Sequence, residues 1–459
     1  MMNKKQHPAS FRDPAGFIFQ HEGNFYRQVN QTYADNYILF KQSGLYDLLV
    51  TEKKILPHTE LDTNFTGTHQ WYKTLLPQQL NFITYPYEWC FSQWKDAALL
   101  TLDLVETAVK YGMIVKDATP FNIQFINGAP VFIDTLSFER YDASKPWIAY
   151  RQFVECFIAP LLLARYNIAS MLRIFQVYPD GIPLAVISKL LPLKTLLNVN
   201  IFLHIRLPGM MGTNTNSAKK KQVTFTQQKL LNIINNLHSF VRSISLPPSV
   251  TQWNNYYEET ILSNEYAAAK MVIIESWLKE IPGQQILDIG TNTGLFAKAA
   301  AAAGKRILAV DADTACIDKL YRECRQQNIS GLTPLCVDIS NPSPAIGWQN
   351  NERPSFIERA SVDLSMALAL IHHLVIGKNI SFEQVACTFS RFSPYLIIEF
   401  VPKNDPKVQL LLQDRQDIFD NYNEQSFITA FEKEFLVVKK ACVPGTERAI
   451  FLMQRNNYN

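Results

Sequence analysis

The segment QQILDIGTNTGLFAKAAAAAGKRILAVDAD, residues 284–313, constrains the fold more than any other part of the chain. An apolar run ends near an aspartate and a loop with two glycines, an alanine-rich stretch follows, and a second apolar run ends at another aspartate. Alanine-rich sequence favours helix, and short apolar runs bounded by turn signals favour buried strands. The segment therefore predicts a strand–loop–helix–strand unit of the kind that builds parallel sheets.

The same alternation continues towards the end of the chain. Further strands are predicted at 332–337, 361–368 and 394–400, and helices at 313–327 and 381–391. Two strand-like arms around Pro444-Gly445, in the segment 435–455, predict an antiparallel hairpin. The expected fold class of this half is α/β: a Rossmann-like, mainly parallel sheet with right-handed crossovers and a terminal antiparallel hairpin.

The candidate ligand residues lie where the predicted strands end, because open parallel sheets bind ligands at the carboxyl ends of their strands. Asp311 ends the second strand, 23 residues after Asp288, and a carboxylate there can accept both hydroxyls of a ribose. The G-x-G-x-x-G spacing of dinucleotide sites is missing, which favours a ligand with a smaller tail than a pyrophosphate. The predicted cofactor-binding residues are Asp288, Gly290, Thr291, Asn292, Gly294, Asp311 and Asp338.

These features resemble the class I S-adenosylmethionine-dependent methyltransferases over residues 253–455. That family has a first motif Asp-x-Gly-x-Gly-x-Gly, an acidic ribose-binding residue after its second strand and a terminal antiparallel hairpin. Asn292 replaces the middle glycine, and asparagine tolerates left-handed backbone. The resemblance implies S-adenosylmethionine as cofactor, with the first loop at its methionine end, Asp311 at the ribose and Asp338 facing the adenine.

The segment ALALIHHL, residues 367–374, follows the fourth predicted strand and supplies the candidate catalytic residues His372 and His373. Methyl transfer from a sulfonium needs alignment above all, and a base only for a poorly ionised acceptor. In the resembling enzymes this loop faces the transferred methyl. The alternative is that one histidine caps the strand and the other is solvated. Trp253, Tyr256 and Tyr257 are candidates for an acceptor pocket or for ordinary core.

The front half carries a second pattern, VKDATPFNIQFINGAPVFID, residues 115–134. Asp117, Asn122 and Asp134 resemble the catalytic segment of protein kinases and aminoglycoside phosphotransferases, which implies a site for ATP and Mg²⁺. Val115 stands where that family has histidine, and no convincing glycine-rich loop precedes the segment. Lys53, Lys54 and Arg27 are all possible cations. Alternatively, the three polar residues satisfy turns in an unrelated α+β domain.

YPYEW (85–89), KDATPFN (116–122) and FIDTLSFE (132–139), followed by the methyltransferase-like half, resemble a bacterial family of nodulation-associated methyltransferase-like proteins over nearly the whole chain. We predict three parts: an α+β accessory domain over 1–211, kinase-like in one alternative, a linker over 212–250 and a methyltransferase domain over 251–459.

The expected function is methyl transfer to an unidentified acceptor that the front domain binds or orients. The alternatives are a kinase-like or bifunctional protein that binds ATP and Mg²⁺, and a binding protein without catalysis.

Composition limits the partners. The 44 basic residues nearly balance 41 acidic ones, for a net charge of +3, and no basic stripe with aromatics is present; a small molecule or carbohydrate acceptor is favoured over nucleic acid. Seven scattered cysteines with no paired spacing argue against a metal site outside the kinase-like pattern and favour a reducing compartment. Apolar runs such as FIAPLLLA (157–164) are too short to span a membrane, so a cytoplasmic protein is expected.

Overall fold

The computed structural model describes residues 6–211, 226–247, 264–413 and 416–456. The chain divides into two compact units. Unit 1 comprises Met1–Pro248 together with Ala345–Pro354, and unit 2 comprises Ser249–Pro344 together with Ser355–Asn459. A short segment of the second half of the sequence therefore belongs to the first unit.

The strands are numbered in chain order. In unit 1 they are β1 Gly16–His21, β2 Asn24–Asn30, β3 His58–Leu61, β4 Trp71–Pro77, β5 Met113–Val115, β6 Ile123–Ile126, β7 Ala129–Phe132 and β8 Phe138–Arg140. In unit 2 they are β9 Gln285–Ile289, β10 Arg306–Asp311, β11 Leu332–Cys336, β12 Leu364–Ala367, β13 Tyr395–Phe400, β14 Phe435–Cys442 and β15 Ala449–Arg455.

The α-helices follow the same order. In unit 1 they are α1 Ala34–Gln42, α2 Leu45–Thr51, α3 Phe91–Lys110, α4 Tyr150–Phe153, α5 Ala159–Tyr166, α6 Leu184–Leu190, α7 Val199–Ile201, α8 Leu207–Met211 and α9 Gln227–Ser243. In unit 2 they are α10 Asn264–Glu280, α11 Leu295–Ala302, α12 Thr314–Gln327, α13 Phe356–Arg359, α14 Ile371–Lys378, α15 Phe382–Ser390, α16 Pro406–Leu412 and α17 Glu424–Phe431. Shorter 3₁₀ and π segments connect several of them, including Pro120–Asn122 and Thr135–Ser137.

Unit 2 is built on a seven-stranded sheet of order β11-β10-β9-β12-β13-β15-β14. The five strands from β9 to β13 are parallel to one another, and β15 runs antiparallel to both β13 and β14. The predicted fold class is thus confirmed for this half, including the terminal hairpin. The chain leaves β9 towards β10 on one side and reaches β12 on the other, so the strand order reverses beside β9. A ligand site is expected at such a switch point.

The sheet is held by apolar side chains that alternate along its strands. Ile286, Ile307, Leu364 and Ile397 are almost fully buried in one cluster with Phe296 of α11. Burying an aliphatic or aromatic side chain of this size stabilises a fold by about 1.5–3 kcal/mol. This packing makes the carboxyl ends of the strands a rigid base for the loops that leave them.

Unit 1 begins with an antiparallel sheet of order β1-β2-β4-β3, followed by the long helix α3 and the two-stranded pairs β5-β8 and β6-β7. Trp94 of α3 is fully buried and makes edge contacts with the rings of Trp89 and Phe175. The β6-β7 hairpin turns at Asn127-Gly128, both in left-handed backbone, as Asn-Gly sequences favour. Helices and 3₁₀ turns make up most of the remainder.

Helix α9 lies inside the range 212–250 for which the sequence predicts a linker. Its amphipathic pattern buries Leu230, Ile234, Leu237 and Val241, so this part of the range is a packed helix and not an open tether. Residues 212–225 and 248–250 of the same range lie outside the described residues. Across the described parts of the chain, no helix has the length and apolar character of a membrane span.

Candidate functional site

The loop between β9 and α11 lies at the carboxyl end of the sheet, beside the point where the strand order reverses. The Gly290 and Thr291 amides both donate to the Val310 carbonyl, at 2.9 and 3.1 Å, which ties the loop to β10. The Gly294 amide donates in turn to the Thr291 carbonyl at 2.9 Å. These three hydrogen bonds fix the loop at the carboxyl ends of β9 and β10.

The loop depends on left-handed backbone at three positions. Gly290, Asn292 and Gly294 have φ of +77°, +52° and +77°. Asn292 thus adopts the conformation that glycine would provide, at the small cost that asparagine pays there. Gly294 has no room for a side chain, since a Cβ there would lie 2.5 Å from Leu320 Cδ1. Its replacement would separate α11 from α12.

Asp288 lies beneath this loop at the end of β9. It is 3% exposed, and the Thr291 hydroxyl donates to its Oδ2 at 2.6 Å. Burial, with a smaller contribution from the charge of Asp311, raises the pKa of Asp288 to about 6. The carboxyl group of Asp288 therefore loses its proton at a pH just below neutral. A cationic ligand bound beside it would favour the ionised form.

Asp311 ends β10 and is held by backbone amides. Asn292 donates to its Oδ2 and Asp313 donates to its Oδ1, both at 2.8 Å. Burial raises the pKa of Asp311 despite these hydrogen bonds. A carboxylate has about four lone-pair positions, so this arrangement leaves acceptor capacity for a pair of hydroxyls. The residue thus fits the ribose of an adenosyl cofactor.

Asp338 follows β11 and has a local role in the structure. Its Oδ1 accepts from the Ser340 amide at 2.9 Å and from the Ser340 hydroxyl at 2.6 Å. Such a turn fixes the chain direction after the strand. The side chain lies at the same sheet edge as Asp288 and Asp311, and its contact with an adenine stays a prediction.

The two histidines lie in the first turn of α14. Leu370, just before this helix, would be 3.3 Å from a Cβ placed on Gly290, so the start of α14 adjoins the glycine loop. His372 is fully buried, and neither of its ring nitrogens has a hydrogen-bond partner among the described residues. Burial lowers the pKa of His372 well below its usual range and that of His373 to about 4. Both rings are therefore neutral at pH 7.

A buried cluster of charged residues, which is not among the sites predicted from the sequence, lies beside the histidine turn. Glu399 of β13 is fully buried, with Lys270 Nζ and the Tyr266 hydroxyl each 2.6 Å from its carboxylate. Arg448 is also buried, and pairs with Asp405 through Nε at 2.7 Å and Nη2 at 3.0 Å. Burial opposes the ionisation of Glu399, but Lys270 and Arg448 outweigh it and hold its pKa below the usual range.

The signal for this cluster was present in the sequence. YLIIEF, residues 395–400, places one glutamate in an otherwise apolar strand. A buried charge needs a partner, so Glu399 predicts a cation elsewhere in the chain. Which cation it is cannot be read from spacing, because Lys270 is 129 residues away.

The second predicted site lies in unit 1, where Asp117, Asn122 and Asp134 come together. The Asn122 amide nitrogen is 3.5 Å from an Asp117 oxygen and 3.4 Å from an Asp134 oxygen. Gln152 donates to the other Asp117 oxygen at 2.6 Å. Burial, and then the charge of Asp134, raises the pKa of Asp117.

Arg27 of β2 is the cation of this cluster. It forms an ion pair with Asp134, whose carboxylate also accepts from the Ser137 hydroxyl and the Leu136 amide. Burial opposes ionisation, but Arg27 holds the pKa of Asp134 below its usual range. The oxygen donors suit Mg²⁺, yet Arg27 and Ser137 already bind Asp134, and Gln152 already binds Asp117. In the described parts of the chain, no group of three or more His, Cys, Asp or Glu side chains is arranged to hold a metal ion.

The remaining sequence candidates have simpler outcomes. Of the three proposed cations, Arg27 forms an ion pair with Asp134, whereas Lys54 pairs with Glu52 at 2.8 Å. Trp253, Tyr256 and Tyr257 lie outside the described residues.

The strand order, the terminal hairpin and the loop after β9 together define unit 2 as a class I methyltransferase fold. No family model matches the sequence. Nodulation protein NoeA of Rhizobium meliloti (strain 1021) is 30% identical over 460 residues, which cover 97% of this chain and 95% of that protein. The chain therefore belongs to the NoeA family.

Three solved structures that resemble this chain each align with less than half of it. The N-methyltransferase NodS from Bradyrhizobium japonicum WM9 is 12% identical over 42% of this chain and 98% of its own, with a TM-score of 0.33. Magnesium protoporphyrin IX methyltransferase from Synechocystis PCC 6803, solved with S-adenosylmethionine bound, is 13% identical over 44% and 89%, with a TM-score of 0.31. The bifunctional kinase-methyltransferase WbdD is 15% identical over 41% and 38%, with a TM-score of 0.29.

Proposed function

We propose that unit 2 transfers a methyl group from S-adenosylmethionine to an acceptor that unit 1 binds or orients. The observation that carries this proposal is the arrangement of Asp288, the left-handed loop with Gly290 and Gly294, and Asp311 at the carboxyl ends of neighbouring parallel strands. These residues offer a narrow backbone turn and two carboxylates, and the loop lacks the G-x-G-x-x-G spacing with which a helix N-terminus binds a pyrophosphate.

Each residue has a distinct part in the proposal. The cofactor supplies a methyl group on a positively charged sulfur. Asp288 and the glycine loop bind its methionine end, and Asp311 accepts hydrogen bonds from its ribose. His372 or His373 accepts a proton from an acceptor hydroxyl: both rings are neutral at pH 7, and each becomes a stronger base if the bound acceptor offsets the burial that lowers its pKa. A second observation favours His372. Its ring is fully buried, and neither ring nitrogen forms a hydrogen bond with the described residues, which destabilises the fold; a role in the reaction would explain why such a residue is present.

Calorimetry with purified protein and S-adenosylmethionine tests the cofactor. We expect binding by the natural protein and its loss in Asp311→Ala. Asp363→Ala is the matched control, because Asp363 also accepts hydrogen bonds from two backbone amides, those of Gln284 and Gln285, but at the amino end of the same sheet. Natural protein that does not bind, or equal binding by Asp311→Ala, contradicts the proposal.

Turnover separates an enzyme from a binding protein. Protein and an isotopically labelled methyl donor are incubated with cell extract, and labelled products are found by mass spectrometry, with Asp288→Ala as control. A small molecule or carbohydrate is the expected acceptor class. Tight cofactor binding without any labelled product would favour the non-catalytic alternative.

A second candidate function concerns unit 1 alone. The close approach of Asp117, Asn122 and Asp134 supports binding of ATP with Mg²⁺, provided that Arg27 turns from Asp134 to a phosphate group. A rise in melting temperature with ATP and Mg²⁺ that disappears in Asp134→Ala would support it. Asp142→Ala is the control, since Asp142 is an exposed turn residue of the same unit. Unchanged melting temperatures would leave unit 1 as an acceptor-binding or scaffold domain.

A further inference from the structure

We propose that Glu399 is a positioning residue, which holds the turn before α14 in the conformation that packs it against the glycine loop. This inference rests on the proposed methyltransferase function, because it concerns the turn that carries His372 and His373. It adds to that function a residue that acts on the site through the backbone of Ala369.

The contacts of Glu399 make it a strong and rigid acceptor. Its Oε2 accepts from the Ala369 amide at 2.7 Å and from Lys270 Nζ at 2.6 Å, and its Oε1 accepts from the Tyr266 hydroxyl at 2.6 Å. Hydrogen bonds to an ionised carboxylate are about twice as strong as those between neutral groups. Lys270 and Tyr266 thus keep Glu399 charged and fixed, so that its remaining bond, to the Ala369 amide, is strong.

The turn needs such a bond because Ala369 has left-handed backbone, with φ of +50°. A residue with a Cβ is disfavoured there. Glycine, which has no Cβ, adopts this conformation readily, and asparagine and aspartate adopt it occasionally. Strained residues persist only where their surroundings determine the conformation, and they cluster at functional sites. The hydrogen bond from the Ala369 amide to Glu399 thus holds Ala369 in its left-handed conformation.

The conformation of Ala369 decides where the next residues lie. Leu370 follows it directly and would be 3.3 Å from a Cβ on Gly290. The first turn of α14, with both histidines, begins one residue later. A turn that relaxed to ordinary backbone would withdraw Leu370 from the glycine loop and shift the histidines with it.

The same buried cluster supplies a matched control. Asp405 is buried like Glu399 and pairs with the same Arg448, but its other bond, to the Lys407 amide, caps α16. Glu399→Gln and Asp405→Asn therefore each remove one buried negative charge from one cluster. Only the first change weakens the acceptor of the Ala369 amide.

The experiment compares both variants of the full chain with the natural protein. Hydrogen exchange, read by mass spectrometry on peptides that cover 366–374, reports on the turn, and calorimetry measures S-adenosylmethionine affinity. For Glu399→Gln we expect exchange in the turn to rise and affinity to fall, each about tenfold, as expected for a weakened hydrogen bond to a charged group. For Asp405→Asn we expect a lower melting temperature with both quantities within about twofold of the natural protein.

A rescue variant separates positioning from general stability. Glycine adopts left-handed backbone without steric cost, so Ala369→Gly in the Glu399→Gln background should restore most of the lost affinity. A purely structural role of Glu399 predicts no rescue, because glycine does not repair the buried charge cluster.

Several outcomes would overturn the inference: equal effects of Glu399→Gln and Asp405→Asn, no rescue by Ala369→Gly, or unchanged exchange in the turn. If the natural protein binds no S-adenosylmethionine, the proposed function fails, and the exchange measurement alone then decides whether Glu399 holds the turn.

Discussion

At the scale of single residues, Asp288 shows how the candidate site costs stability. Its pKa is about 6 in the folded protein and about 3.9 in an unfolded chain, so the folded state binds the proton more tightly. The destabilisation is therefore absent below about pH 4 and complete above about pH 6 to 7. A carboxylate placed under such a penalty is more consistent with a ligand site than with a structural role.

We expect Asp288→Asn to raise the free energy of unfolding at pH 8 by about 1–3 kcal/mol without ligand, because it removes the buried charge. Near pH 4 the two proteins should have similar stability, which serves as the internal control. Denaturant unfolding at both pH values measures this. A less stable Asp288→Asn at pH 8 would contradict the assigned environment.

The same titration predicts how ligand binding depends on pH. The methyl donor carries a positive charge, so ionised Asp288 should bind it more strongly than the neutral acid. Affinity should rise from pH 5 to pH 7 with a midpoint near 6, the folded pKa of Asp288. Calorimetry across this range should show a smaller pH effect in Asp288→Asn. Identical profiles for both proteins would count against a direct role of Asp288.

At the scale of secondary-structure elements, the sequence predicted unit 2 well because each element carries its own local signal. β9, α11 and β10 form the strand–loop–helix–strand unit predicted for residues 284–313, since apolar runs, alanines and glycines mark them. The charge cluster was not predicted, because Lys270 comes from α10, Glu399 from β13 and Arg448 from the residue just before β15. Pairing between such distant positions is a property of the folded sheet.

Gly294 at the start of α11 allows a prediction with a close control. Gly294→Ala combines left-handed strain with a clash against Leu320, whereas Gly304→Ala has a similar φ, +82°, and no atom within 4 Å of the added Cβ. We expect Gly304→Ala to cost about 1 kcal/mol from strain alone and Gly294→Ala to cost about 1–3 kcal/mol more. Thermal unfolding of both variants measures the difference. Equal losses of stability would show that the Leu320 side chain moves aside without weakening the packing of α11 against α12.

At the scale of the whole molecule, the segment Ala345–Pro354 is the feature that sequence could not predict. It lies between β11 and β12 of unit 2 but belongs to unit 1. There Glu352 is buried and pairs with Arg12 at 2.8 Å, and the Arg353 guanidinium lies 3.7 Å from the centroid of the Phe121 ring. Nothing local in the sequence distinguishes this segment from an ordinary loop.

This arrangement predicts the behaviour of unit 2 expressed alone. In the fragment 249–459, the segment Ala345–Pro354 loses its partners in unit 1. Its ends meet, because the Phe356 amide donates to the Ser343 carbonyl at 2.9 Å, so a short Gly-Ser turn can replace it. We expect the shortened fragment to have a higher soluble yield and melting temperature than the fragment with the natural segment. The same replacement in the full chain should lower the melting temperature, and the opposite result would contradict the assignment.

The assignment of Ala345–Pro354 to unit 1 also has a consequence for the evolution of the protein. Because the chain passes from one unit to the other at three places, a single genetic crossover near residue 248 would join a foreign unit 1 to a loop shaped for the original one. Recombination among relatives would damage the loop contacts each time, unless a second exchange replaced the loop as well. The two units are therefore expected to be inherited together. Among relatives, substitutions at residues 345–354 should correlate with substitutions in the rest of unit 1, and not with those in β11 and β12 on either side of the segment.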